Sequence, residues 1–221
     1  MSALPAHKTG LITICRENAI LKFGTFTLKS GRESPYFFNA GAFNTASLLS
    51  TLSHSYASTI NQESAFEFDV VFGPAYKGIP LASTTATALY ALDNKKYANT
   101  GYAFNRKEAK DHGEGGTIVG ASLAGKRVLV VDDVITAGTA IREAVGIIEA
   151  AGGKVVGIVV ALDRQERLTD QGSESAIMSV RRELNIPVTA ILTLGDLIAG
   201  VDGQEKENMV QYRERWGVKD E

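Results

Sequence analysis

Residues 128–140 read VLVVDDVITAGTA, and this stretch decides the fold. Its first four residues are apolar without alternation, which is typical of a strand buried on both faces of a parallel sheet. Asp132 and Asp133 come next, so we expect them at the carboxyl end of that strand, where open α/β sheets bind ligands. Residues 136–139 then offer hydroxyls and backbone N–H groups at the start of a helix, an arrangement that favours an anion. The stretch therefore predicts a phosphate site beside two carboxylates.

The same stretch has a simpler explanation. A helix N-cap followed by a tight turn would also place Asp, Thr and Gly in this order. Two adjacent acids exceed what one cap requires, however, and the loop lacks the GxxxxGK[ST] spacing of a nucleoside-triphosphate P-loop. We therefore expect a sugar phosphate. The segment GEGGTIVG, residues 113–120, does not fit the GxGxxG spacing and opens a strand, so it is not a dinucleotide fingerprint.

The composition is that of a globular enzyme-sized domain. The chain has 221 residues and 44% hydrophobic content, which predicts a single domain over residues 1–221. A net charge of −2 argues against nucleic acid and anionic membranes as partners. Cys15 is the only cysteine, so an internal disulfide is impossible and a buried thiol in a reducing compartment is expected. Without a signal-like or membrane-length apolar run, we expect a cytoplasmic protein.

Hydrophobic periodicity predicts alternating strands and helices, and hence a mainly parallel, doubly wound α/β sheet flanked by helices. The polar segment KEAKDHGEGG, residues 107–116, is expected to be a mobile loop. Short strands and turns are predicted over residues 25–40, and strands over 68–73, 102–106, 128–131, 154–164 and 188–194. Helices are predicted over 9–22, from Asn44 or Thr45 to 60, over 79–92, from the loop after Asp133 to about 151, and over 173–185 and 204–215.

Two further segments carry cations. Lys77 lies in the turn GPAYKG, residues 73–78, at the end of a predicted strand. A lysine in a turn is usually only solvated, so this signal is weak alone. The loop RKEAKDHGEGG, residues 106–116, could close over a polyanion as a catalytic lid, but its acids cancel much of the positive charge. Composition alone favours an ordinary surface loop there.

Two more positions suggest a flat anionic ligand. Phe37 and Phe38 would ordinarily lie in the core, yet they follow the basic turn LKSGR, which contains Lys29. An aromatic wall beside cations would suit a ring that carries a carboxylate. Arg164 follows a buried strand and could pair with Asp163 or Glu166, or it could grip a carboxylate through two parallel hydrogen bonds.

Residues 128–140 resemble the phosphoribosyl-diphosphate (PRPP) motif of type I phosphoribosyltransferases, and residues 106–116 are very similar to the lid of the orotate phosphoribosyltransferase family. The resemblance implies a small hood over the carboxyl edge of the sheet, contributed mainly by N-terminal residues, and a mobile lid at 105–117. It also implies transfer of the 5-phosphoribosyl group from PRPP to orotate, which gives orotidine 5′-monophosphate and pyrophosphate in de novo pyrimidine (UMP) synthesis. Because the resemblance covers nearly all of the chain, we expect no fused decarboxylase domain.

The resemblance also assigns the site. The acids would hold the ribose hydroxyls, the loop amides the 5′-phosphate, and Arg164 the orotate carboxylate. Catalytic roles fall on Lys29, Lys77, Lys110, His112, Asp132 and Asp133. PRPP binding falls on the same residues together with Tyr76, Arg106, Lys107, Val134, Ile135, Thr136, Ala137, Gly138, Thr139 and Ala140. Orotate binding falls on Lys29, Phe37, Phe38, Thr136 and Arg164.

The same resemblance implies a metal ion, a homodimer and an unusual peptide bond. Mg²⁺ would be held mainly through PRPP and pyrophosphate oxygens, with no metal ligand expected from the protein. The family works as a homodimer in which Arg106, Lys110 and His112 complete the site of the other subunit. A non-proline cis peptide is expected at Tyr76–Lys77 or a neighbouring bond.

Two other functions remain open from the residues. A non-catalytic PRPP-binding regulator could keep the acids and the loop, but it would have little use for Lys77 and a lid. A purine-type phosphoribosyltransferase would share the PRPP motif, but Phe37, Phe38 and Arg164 favour a carboxylated pyrimidine.

Overall fold

The computed structural model describes residues 4–63, 65–110 and 116–218. The strands are β1 (Leu21–Thr27), β2 (Glu33–Phe38), β3 (Val70–Gly73), β4 (Gly101–Lys110), β5 (Gly116–Gly120), β6 (Arg127–Val134), β7 (Lys154–Asp163) and β8 (Val188–Thr193). The helices are α1 (Ala6–Glu17), α2 (Ala46–Gln62), α3 (Gly78–Leu92), α4 (Thr139–Ala150), α5 (Ala176–Leu184), α6 (Leu194–Ala199) and α7 (Gly203–Trp216), with a 3-10 turn at Ala40–Ala42.

Six strands form the central sheet in the order β5-β4-β3-β6-β7-β8. The β4–β5 pair is antiparallel and the other neighbours run parallel, so the predicted α/β class with a mainly parallel sheet is confirmed. β1 and β2 pair separately as an antiparallel hairpin, which we call the hood.

The sheet separates two apolar cores because side chains alternate along its buried strands. Leu129 and Val131 of β6 face a core that also contains buried residues of α1, α2 and α7. Val128 and Val130 face the opposite core, formed with α4 and α5. Cys15 is fully buried in the first core, as predicted, and this burial raises the pKa of its thiol to about 12. β6 is thereby held rigidly from both faces.

The N-terminal and C-terminal parts of the chain contact each other at two places, between α1 and α6 and at the hood. Lys8 of α1 donates to Asp196 of α6 at 2.8 Å. Tyr36 of β2 packs edge-to-face against Tyr212 of α7, with ring centroids 6.2 Å apart. The guanidinium of Arg32 lies 4.5 Å from the ring centroid of Trp216. Residues from the last helix therefore support the N-terminal hairpin.

Several predicted boundaries are wrong. The first helix was expected to reach residue 22, but it ends at Glu17, and Ala19 turns the chain with a φ of 53° before β1 begins at Leu21. Residues 107–110, expected in a loop, belong to β4, whose pairing with β5 is irregular after Asn105 and resumes at Lys110 opposite Gly116. α5 begins at Ala176 rather than 173, capped by the side chain of Ser175.

Other local predictions hold. Of the two residues expected to cap the second helix, Thr45 does so, since its side chain accepts from the Leu48 N–H. The expected non-proline cis peptide lies at Ala75–Tyr76, the bond next to the one named first. Within the described ranges, no helix is long and apolar enough to cross a membrane.

Candidate active site

A cleft of about 520 Å³ lies between the hood and the carboxyl ends of β6 and β7. All five residues predicted to bind orotate border it, and so do two of the predicted catalytic residues on the sheet side. The predicted site residues on its wall are Lys29, Phe37, Phe38, Lys77, Asp133, Val134, Ile135, Thr136 and Arg164.

The paired acids occupy different positions at the end of β6. Asp132 is 8% exposed, and its Oδ1 accepts from the Asp133 N–H at 2.9 Å. Burial, and then the nearby Asp133 carboxylate, raise the pKa of Asp132 to about 6. Tyr56 of α2 donates to the Asp132 carbonyl at 2.7 Å, which fixes the strand end from below. The site thus holds one buried acid and one that borders the cleft.

Lys77 is already bound to the outer acid. Its Nζ donates to Asp133 Oδ2 at 2.7 Å, across the gap between two neighbouring strand ends. The Lys77 side chain is 67% exposed, so solvent screens this pair and a diphosphate could replace Asp133 as its partner. Tyr76, predicted to bind the same ligand, is exposed to solvent in the adjoining turn. The Ala75 N–H in that turn donates to Asn105 Oδ1 at 2.9 Å.

Residues 136–139, here called the phosphate loop, lead into α4. Gly138 is the N-cap residue and has a φ of 77°, a conformation that side-chain-bearing residues rarely adopt. A Cβ at Gly138 would also lie 2.7 Å from Arg142 Nη1 and 2.8 Å from Val180. In the described part of the chain, no side chain caps α4, so its first N–H groups are left for a ligand. This is the geometry of an anion site.

Arg142 braces the phosphate loop from outside. Its Nη1 donates to the carbonyl of Ala137 at 2.8 Å, while its Nε donates to Glu183 of α5 at 2.7 Å. Glu183 in turn accepts from the Ser179 hydroxyl at 3.0 Å. The loop is therefore fixed to two helices.

Arg164 makes the ion pair that the sequence left as an alternative, and it also borders the cleft. Its Nε donates to Glu166 Oε1 at 2.8 Å, and its Nη2 donates to Ser34 Oγ at 3.2 Å. Its guanidinium lies 4.4 Å from the ring centroid of Tyr36. A buried cation held between the hood and β7 suits a carboxylate ligand.

Phe37 and Phe38 do not form one continuous wall. Adjacent residues of a strand point to opposite faces, and here Phe38 is buried against Phe43 while Phe37 is 40% exposed and packs against Phe26. Both residues border the cleft, but only Phe37 combines that position with an exposed ring.

The predicted lid is only partly described. Arg106 and Lys107 lie on β4, and Lys107 Nζ lies 3.5 Å from Glu143 of α4 in the same chain. Lys110 ends β4, where its backbone pairs with Gly116. His112 falls outside the described residues.

Three supporting residues escaped the sequence analysis. Ser34 and Tyr36 reach Arg164 from a hairpin 130 residues away, for which the sequence carries no signal. Nothing in the sequence around Arg142 indicates that its side chain folds back to bind the loop that precedes α4. Glu166 was considered as a partner of Arg164, but not as a part of the site.

The residues present fit a metal held chiefly by a ligand. Among residues 4–63, 65–110 and 116–218, no group of three or more His, Cys, Asp or Glu side chains is placed to hold a metal ion. Mg²⁺ in phosphate sites takes most of its oxygens from the phosphates and water. Of the two paired acids, Asp133 is the one that borders the cleft and could supplement them.

Comparisons with known proteins agree with this geometry. A family model described as phosphoribosyl transferase domain matches residues 43–180. The orotate phosphoribosyltransferase of Yarrowia lipolytica is 54% identical over 221 residues, covering 98% of this chain and 100% of that protein. A protein of the same name from Acinetobacter baumannii is 52% identical and covers 96% of this chain and 97% of its own.

A solved structure shares the fold along almost the whole chain. The orotate phosphoribosyltransferase of Francisella tularensis superposes with a TM-score of 0.82 at 40% identity, covering 95% of this chain and 100% of that one. The chain belongs to the phosphoribosyltransferase family, in its orotate phosphoribosyltransferase branch.

Proposed function

We propose that this protein transfers the 5-phosphoribosyl group of PRPP to orotate, forming orotidine 5′-monophosphate and pyrophosphate in pyrimidine (UMP) synthesis. The observation that carries the proposal is a cleft in which the end of β6, Thr136 at the start of the phosphate loop, and Arg164 meet. The names of relatives more than 50% identical along the chain support the same reaction.

The ribose end is bound by β6 and the phosphate loop. The N–H groups that open α4 hold the 5′-phosphate, and Asp132 and Asp133 accept from the ribose hydroxyls. Breaking the bond between C1′ and the diphosphate develops positive charge on the ribose ring. Carboxylates fixed beside that ring stabilise the charge without having to reorganise.

The diphosphate end is bound by cations. Lys77 leaves Asp133 and binds the departing pyrophosphate. Its positive charge then stabilises the negative charge that develops there. Bound through diphosphate oxygens, Mg²⁺ would supply further neutralisation there. Lys29 borders the cleft from the hood, and the lid residues Arg106, Lys107, Lys110 and His112 contribute when the lid closes. Closure also excludes water that would otherwise capture the ribosyl group.

Orotate enters on the hood side of the cleft. Arg164 binds its carboxylate, and the exposed ring of Phe37 lies beside the pyrimidine. The N1 atom of orotate then bonds to C1′ as the bond between C1′ and the diphosphate breaks, and the N1 proton passes to the departing pyrophosphate. Phe38, the next residue of β2, is buried in the core and supports the strand that carries Phe37.

The lid is proposed to act across a homodimer, with Arg106, Lys110 and His112 entering the partner's cleft. The support is the family resemblance of residues 106–116. Lys107 is not included in that set, because its side chain pairs with Glu143 of its own subunit. The cytoplasmic location stays a prediction.

The direct test supplies PRPP, Mg²⁺ and one base at a time, and measures pyrophosphate release together with the nucleotide formed. We expect release with orotate and not with adenine, guanine or hypoxanthine. PRPP binding without turnover of any base would indicate a regulator instead. Turnover with a purine in place of orotate would assign the protein to the purine-type enzymes.

A further inference from the structure

Arg164 and Glu166 form a nearly buried ion pair at the hood side of the cleft. Glu166 Oε1 accepts from Nε at 2.8 Å and also lies 2.6 Å from Nη2. The two side chains are 15% and 13% exposed, so water screens the pair only weakly. One carboxylate oxygen therefore holds the Nε edge of the guanidinium.

The hood fixes the guanidinium on two further sides. Nη2 donates to Ser34 Oγ, and the Tyr36 ring lies beneath the guanidinium. The hydrogen bonds of Arg164 within the described ranges use Nε and Nη2 and none uses Nη1. Because Arg164 also borders the cleft, Nη1 is available to a ligand there.

Glu166 is itself held by its backbone. The Gln165 N–H donates to Asp163 Oδ1 at 2.8 Å, and Gln165 has a φ of 50°, so the chain turns sharply between the two charged side chains. Glu166 then pairs with Gly217 in an antiparallel bridge, and the Val218 N–H donates to the Gln165 carbonyl at 3.0 Å. The carboxylate is thus placed by a turn on one side and by the segment after α7 on the other.

We propose that Glu166 is a positioning residue for recognition of the substrate carboxylate, acting through Arg164. It orients the guanidinium before the ligand binds, so that Nη1 receives the ligand. Without Glu166, the Arg164 side chain would lose considerable rotamer entropy when the ligand orders it. Its buried guanidinium would also lack a charged partner, which is unfavourable. This inference rests on the proposed function and adds to it the residue that prepares the carboxylate site.

The geometry of Glu166, rather than its charge, is what the substrate uses. Its negative charge repels a second carboxylate at the same guanidinium, so charge alone would weaken binding. The placed acceptor oxygen is the useful part. Gln at this position keeps that oxygen and removes the charge, whereas Asp keeps the charge and withdraws the oxygen by one methylene.

The experiment measures kcat and the KM of each substrate for Glu166→Ala, Glu166→Asp and Glu166→Gln. We expect Glu166→Ala and Glu166→Asp to raise the KM for orotate about tenfold, with the KM for PRPP unchanged within about twofold. Glu166→Gln should stay within about threefold of the unchanged protein. Glu205→Ala, which removes an exposed pair with Arg16, is the matched control and should change neither KM.

Three results would overturn the inference. These are an unchanged orotate KM in Glu166→Ala, an equal rise of both KM values, and a Gln variant as impaired as the Ala variant. If Glu166→Ala does not fold, the comparison of Asp with Gln decides alone. Failure of the unchanged protein to consume orotate would refute the proposed function itself, a separate outcome read before any variant is compared.

Discussion

Asp132 and Asp133 are neighbours in sequence, but their surroundings give them different properties. Asp132 is buried and has a pKa near 6, whereas Asp133 borders the cleft and is bound to Lys77. The protein keeps a carboxylate where its ionised form is disfavoured. The ionised form of Asp132 therefore lowers the free energy of unfolding.

This cost predicts the effect of Asp132→Asn. The folded pKa of about 6 lies above the ordinary value of 3.8, so between these values the folded state holds a proton that the unfolded state has lost. Stability contributed by this group therefore falls as pH rises through the window. At about pH 8 the variant should be more stable by roughly 1–3 kcal/mol in urea unfolding, while its transferase activity is lost.

The pH dependence provides the control for that prediction. The stability advantage of Asp132→Asn should shrink as the pH falls from about 6 towards 3.8, because the native aspartate then becomes neutral as well. An advantage independent of pH would point to repacking rather than to the buried charge.

Arg164→Ala should separate the two substrates. The lost guanidinium faces the carboxylate, and a hydrogen bond to a charged group contributes roughly 1.5–3 kcal/mol, so the affinity for orotate should fall at least tenfold. PRPP affinity should change little. Titration of each ligand by calorimetry measures this directly, and equal weakening of both would make Arg164 a structural ion-pair residue only.

The contiguous part of the site was predictable and the dispersed part was not. Residues 128–140 contain strand, acids and phosphate loop together, so local rules sufficed to bring them to one place. The surroundings of Arg164 combine β2, β7 and the segment after α7. Such contacts depend on tertiary packing, which one sequence does not encode in any local pattern.

At the scale of elements, the misplaced end of α1 shows how periodicity can mislead. Ile20 and Leu21 are buried, as a continuing helix face would require, but β1 buries Leu21 through its pairing with Phe38 of β2. The same apolar residues suit both structures, and a non-local strand decides between them. α6 was missed because six residues are too few for periodicity, although Thr193 and Asp196 form a capping box.

The brace on the phosphate loop leads to a prediction about α4 and α5. Arg142→Ala removes the donor to the Ala137 carbonyl, so the loop should lose its fixed shape and the KM for PRPP should rise about three- to tenfold. Orotate KM should be unaffected. Steady-state kinetics with each substrate varied in turn measures the effect.

A double-mutant cycle tests whether Glu183 acts through Arg142. Glu183→Ala should give a smaller rise in PRPP KM, and the double variant should be no worse than Arg142→Ala alone. Arg182 lies on the same helix as Glu183, and Arg182→Ala, which breaks its pair with Glu174 ahead of that helix, serves as control. Additive effects would show that the two residues support the loop independently.

At the scale of the whole molecule, the shared lid is tested by mixing subunits. Homodimers of Lys110→Ala and of Asp132→Asn should each be nearly inactive. If the lid crosses to the partner, a mixed dimer collects both defects in one cleft and leaves the other intact. Mixing should then restore up to about a quarter of the activity, since half the dimers are mixed and each has one good site.

Proof of subunit exchange is needed for that result to count. Differently tagged subunits, purified through both tags in turn, provide a sample of mixed dimers only. If such a sample is as inactive as its parents, the lid serves its own subunit and the proposal of a shared site fails.

The contact between the N-terminal and C-terminal parts of the chain at the hood has a consequence for synthesis on the ribosome. Translation runs from the N-terminus, so β1 and β2 leave the ribosome long before α7. Tyr36 and Arg32 therefore stay uncovered until Tyr212 and Trp216 have been made. The phosphate loop, which is proposed to hold the 5′-phosphate, needs only the middle of the chain. Nascent chains stalled before α7 should therefore remain open to protease at the hairpin while the central strands are already resistant. The hood and the strand ends that face it across the cleft therefore complete their folding at different stages of synthesis.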